Sequence, residues 1–95
     1  MAYIKGWQFK NIAASTGGFD LVEGQYAVQA VATWGGGSVT LQRLSSDGST
    51  YVTCLTAMTA NSYATVNLPA GTYKFTIATA TAVYVDIMPI LTVDR

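Results

Sequence analysis

The chain has no histidine. That removes the side chain that most often serves as a general base and most often ligates a transition metal. It has one cysteine, Cys54, so no internal disulfide framework is available. In "YVTCLTA" this cysteine reads as a small apolar strand residue, with no histidine to activate its thiol. Charge is scarce too, at 11% of 95 residues against roughly 25% in soluble domains. Five basic and five acidic side chains cancel, and Lys5, Lys10, Arg43, Lys74 and Arg95 are scattered rather than clustered. Nucleic acid is therefore not expected as a partner. No window approaches the ~18 apolar residues of a spanning helix, so no membrane partner is expected either. The opening "MAYIKGWQFK" lacks the continuous apolar stretch of a signal peptide, and export by that route is not expected.

The carboxylates left for chemistry are Asp20, Glu23, Asp47, Asp86 and Asp94. Asp47 stands in "SSDGST", where an aspartate hydrogen-bonds its own turn. Asp20 and Glu23 flank a corner and read as solvated. A glycosidase-like pair of Asp86 with another carboxylate stays open, since folding could bring two together. "SSDGST" lacks the acid-rich spacing of a calcium loop. The reading is of no enzyme, with no catalytic residue, no cofactor and no metal site.

What the chain has in abundance is β-patterning. Alternation puts Tyr26, Val28, Ala30, Ala32 and Trp34 on one face of "QYAVQAVATW", and Val39, Leu41 and Arg43 on one face of "SVTLQRL". Ala64, Val66 and Leu68, then Tyr73, Phe75 and Ile77, then Val83, Val85 and Ile87 repeat the pattern. Such period-two runs mark strands with one buried face. In "STYVTCLTA" the register stays open between Tyr51, Thr53, Leu55 and Val52, Cys54. Glycine-rich "WGGGS" reads as a connection between antiparallel runs, and Asp47-Gly48 as a hairpin turn. Pro89 predicts an edge position or a bulge for the last strand.

One pattern occurs twice. "LVEGQY" (Leu21–Tyr26) and "LPAGTY" (Leu68–Tyr73) share Leu-x-x-Gly-x-Tyr, with Gly71 standing 47 residues after Gly24. In each copy Leu ends a strand at the core, Gly turns the chain and Tyr starts the return with its ring inward. The repeat suits a sandwich folded from two long ribbons, although any β-corner can converge on the pattern. Seven or eight short strands in so small a domain predict an all-β, antiparallel two-sheet sandwich, jelly-roll-like. Residues 19–95 would form the sandwich, and residues 1–18 a first strand or an arm laid on a neighbouring subunit.

A surface this poor in charge is either coated with Ser, Thr, Asn and Gln or covered by neighbours. The candidate interface residues are Tyr3, Trp7, Phe9, Trp34, Tyr84 and Met88. Trp34, beside Gly35–Gly37, has three open roles: capping the core, touching a subunit, or contacting a ligand. Aromatic richness also admits a carbohydrate-binding module.

The "GGGSVTLQ" hairpin, the "LPAGTY" corner and the "ATATAVY" lead into the last strand resemble small virion proteins of tailed bacteriophages. The resemblance spans about residues 19 to 90. It implies a jelly-roll decoration or cement protein on the capsid surface, made in the host cytoplasm. The implied partners are the major capsid protein and further copies of the chain, a trimer before a dimer. A minor tail or baseplate component is equally compatible with the sequence.

Overall fold

The structure, a computed structural model, describes residues 6–90. Eight strands follow in order: β1 (Trp7–Ile12), β2 (Phe19–Leu21), β3 (Gly24–Thr33), β4 (Ser38–Leu44), β5 (Tyr51–Thr53), β6 (Ser62–Leu68), β7 (Gly71–Ala78) and β8 (Thr81–Pro89). They form two four-stranded sheets, β1-β8-β3-β6 and β2-β7-β4-β5, antiparallel at every pairing. Every connection crosses between the sheets except β4–β5, which is a hairpin. This is the jelly-roll arrangement that the strand count predicted.

The doubled motif explains how the sheets are joined. Phe19↔Tyr73 and Leu21↔Gly71 pair in one sheet, and Gly24↔Leu68 through Ala30↔Ser62 pair in the other, with the same register on both sides of the corner. Residues 19–30 and 62–73 thus form one two-stranded ribbon that bends from sheet to sheet. Each tyrosine locks its own corner. The Tyr26 hydroxyl donates to the Val22 carbonyl at 2.5 Å, and the Tyr73 hydroxyl to the Pro69 carbonyl at 2.6 Å. Both rings are fully buried, so each hydroxyl must find a partner inside, and the corner carbonyl supplies it.

The relation extends to the whole topology. Advancing each strand number by four, cyclically, turns β1-β8-β3-β6 into β5-β4-β7-β2, which is the other sheet. The core between them is apolar, with Phe19, Leu21, Val28, Val39, Leu41, Phe75, Val83, Val85 and Ile87 among its buried side chains. Phe19 bridges the layers, its ring centroid 5.6 Å from Trp7, 5.5 Å from Phe9 and 5.7 Å from Phe75.

Three local readings need correction. "WGGGS" is not a hairpin within one sheet, because β3 and β4 lie in opposite sheets. Gly35 and Gly36 have φ of 52° and 83°, and the Gly37 amide donates to the Trp34 carbonyl, a two-residue turn that requires positive φ twice. Gly37 is needed for another reason: a Cβ there would run into the Ala78 carbonyl and the Ala80 amide of the β7–β8 link. Pro89 does not lie on an edge strand, since β8 is flanked by β1 and β3. The Ile90 amide donates to Gln25, so the alternation turns the Pro89 nitrogen away from β3. Gly71 has no positive φ; its missing side chain leaves room for the Arg43 guanidinium, which donates to the Ala70 carbonyl at 2.9 Å.

Candidate functional site

The two outer faces differ in how far they satisfy themselves. On the β2-β7-β4-β5 sheet, Thr72 donates to the Asp20 carboxylate at 2.7 Å, and Thr76 donates to Gln42, which donates to Thr53. The Lys74 ammonium sits 4.4 Å from the centre of the Tyr51 ring. Polar side chains there are already engaged with one another.

The outer face of β1-β8-β3-β6 is built otherwise. One row runs Gln8–Asp86–Gln29–Tyr63 across all four strands. Rows beside it hold Tyr84 and Val31, then Met88, Ala27 and Thr65. Val31, Tyr63, Tyr84 and Met88 are exposed, Tyr63 at 65% and Tyr84 at 49%. Four of the six large exposed apolar side chains among the described residues therefore share this face. Asp86 stands in the middle, partly buried, and that burial pushes its carboxyl above the ordinary aspartate range. Lys10 is the other charged group on these strands.

A bulge shapes the face beside Tyr84. The β1–β8 register slips between Phe9 and Ile12, where Asn11 takes a φ of 53°. The β3–β8 register slips just beyond Val31, and Ala82 takes a φ of 49°. Paired irregularities on both sides of β8 increase its local twist. They leave a shallow, open depression of about 130 Å³ lined by Gln8, Lys10, Gln29, Val31, Tyr84 and Asp86. Its shape suits contact with a broad complementary surface or with one exposed ring, rather than enclosure of a small molecule.

The expected interface residues separate into two groups. Tyr84 and Met88 point outward on this face. Trp7, Phe9 and Trp34 are half-buried and pack against the core. The Trp7 indole N–H donates to the Asp20 carbonyl at 3.1 Å, and the Trp34 indole N–H to Asn61 Oδ1 at 2.9 Å. Trp34 therefore closes one end of the sandwich. Tyr3 lies outside the described residues. Val31 and Tyr63 escaped the sequence reading although alternation carried the signal, since both are large apolar residues at polar-side positions.

Among the described residues the remaining chemistry is dispersed, and Asp94 lies outside them. Asp20 and Asp86 lie on opposite outer faces, and Asp47 closes the β4–β5 turn. Its carboxylate accepts from the Ser45 and Thr50 hydroxyls and the Ser49 and Thr50 amides, which holds its pKa far below the usual carboxylate range. No cluster of three metal-ligating side chains occurs among the described residues. Burial pushes the Cys54 thiol up, away from the thiolate a nucleophile needs. Comparisons with known protein families, characterised proteins and solved structures found no match to this chain.

Proposed function

We propose that the chain is a structural virion protein, a capsid decoration or cement protein that binds a bacteriophage head shell as an oligomer. One observation carries the reading: the outer face of β1-β8-β3-β6 presents Val31, Tyr63, Tyr84 and Met88 around a single partly buried carboxylate. A charge-poor face with exposed tyrosines and only a shallow depression is suited to association with protein. The resemblance of "GGGSVTLQ", "LPAGTY" and "ATATAVY" to decoration proteins supplies the identity of that protein, the major capsid protein. The role is then mechanical. Copies bridging adjacent capsid subunits bury this face and oppose the outward pressure of packaged DNA.

Mixing purified chain with empty head shells and imaging the particles by electron microscopy tests the reading. Density at regular positions on the shell, lost with Tyr84→Asp, is expected. Density confined to a tail or baseplate, or no density at all, overturns it. The depression beside Tyr84 gives a second reading, a small glycan stacked on that ring with Gln8, Gln29 and Asp86 as polar partners. A glycan array with hits abolished by Tyr84→Ala would favour it.

A further inference from the structure

The free edge of β6 carries an inference about how copies of the chain meet. The Ile90 amide donates to the Gln25 carbonyl across a directly opposed pair, so Gln25, Ala27 and Gln29 turn their backbone groups toward β8. Tyr26, Val28 and Ala30 consequently face β6, bonding Val66, Ala64 and Ser62. The N–H and C=O groups of Tyr63, Thr65 and Asn67 then point to the open side of the sheet, where no strand pairs among the described residues.

The other edges are short, interrupted or carried on by further chain. β1 is broken by its bulge at Lys10–Asn11. β2 has three residues, and the chain before it lays Ser15 and Thr16 along β7, where their hydroxyls accept from the Ile77 and Phe75 amides. β5 also has three, and Cys54 and Met58 continue the cover of β4. β6 has seven residues, "SYATVNL", with no charge, proline or register shift. Proteins ordinarily guard such an edge.

We propose that β6 pairs with β6 of a second copy, antiparallel about a two-fold axis beside Thr65. Thr65 then opposes Thr65 of the partner subunit, and Tyr63 opposes Asn67 of the partner subunit. With the second pair repeated by the axis, three opposed pairs form about six N–H···O bonds. Opposed threonines and uncharged neighbours make the strand complementary to itself, as a two-fold contact requires. The chain's zero net charge leaves little repulsion between copies. The axis stands perpendicular to the sheet, so both outer faces point the same way and merge into one platform. A seven-residue strand is about 24 Å long, and contact along it falls short of the ~1,200 Å² of a standard interface. Association is therefore reversible. The inference rests on the self-association part of the proposed function, and not on the shell.

Sedimentation and amide hydrogen exchange across a concentration series test it. The expected result is a mass rising from 10.1 kDa toward twice that value, with the amides of Tyr63, Thr65 and Asn67 slowing at least tenfold in step. Thr65→Lys sets two ammonium groups face to face and should abolish both effects. Thr65→Pro should do the same, since it removes an N–H that β3 does not use. Unchanged circular dichroism in either variant shows that the fold survives. A chain that stays monomeric, that forms trimers, or that dimerises unaffected by both variants overturns the proposal. A dimer that ignores head shells leaves this pairing standing and removes the decoration role.

Discussion

Tyr26 and Tyr73 do for the corners what neither a leucine nor a phenylalanine could. Each ring fills core volume while its hydroxyl satisfies a carbonyl at a bend that no strand reaches. Tyr73→Phe should cost about 1–3 kcal/mol in urea unfolding, because it orphans the Pro69 carbonyl and removes the hydroxyl that the Arg43 guanidinium meets. Tyr73→Ala should cost roughly 3–5 kcal/mol through the lost ring and the cavity left behind. Two carboxylates work in opposite directions as pH changes. Asp47 has its pKa depressed on folding, so its contribution is present above the unfolded value of about 3.9 and fades as pH falls through the folded one. Asp86 has its pKa raised, so its charged form is unfavourable, and the penalty appears as pH rises through the folded value. Asp86→Asn should therefore raise the melting temperature at pH 7 and change it little at pH 3. Asp47→Asn should lower it at pH 7 and flatten the fall in acid.

Among the elements, legibility followed exposure. Alternation was readable in β3, β4, β6, β7 and β8 because each sheet buries one face, and inward positions such as Val28, Leu41, Phe75 and Val85 are buried as read. Sheet membership was not readable. Alternation says which residues face inward and nothing about which layer supplies the neighbour, so a crossing such as Trp34–Ser38 looks like a hairpin. Pro89 misled because the edge rule for proline concerns one nitrogen, and in a central strand that nitrogen can still point away from one of the two neighbours, here β3. The candidate surface was half legible. Tyr84 and Met88 followed from alternation, whereas the bulges beside Tyr84 arise from Asn11 and Ala82 adopting positive φ, which neither residue announces. The β7–β8 link holds another such residue. Thr79 has a φ of 67°, and the Ala80 amide reaches back to the Ala78 carbonyl. A β-branched residue is costly there, so Thr79→Gly should stabilise the fold by up to about 1 kcal/mol in thermal unfolding. Gly37→Ala, pressed against the same link, should destabilise it by about 1–3 kcal/mol.

At the scale of the whole molecule, the two sheets correspond strand for strand, yet their exteriors have diverged. One is knitted by Asp20, Thr72, Gln42 and Thr76, the other left open around Asp86. The difference gives the slab a direction, one side self-satisfied and the other available for contact. The shared geometry has a kinetic corollary. Because the bent ribbon keeps its register through the corner, it can zip from the Ala30–Ser62 rung to the Phe19–Tyr73 rung without a second search for alignment. The slow event is then bringing the first rung together across residues 31–61, so a destabilising substitution at the Ala30–Ser62 rung should slow refolding, whereas one at the Phe19–Tyr73 rung should chiefly speed unfolding.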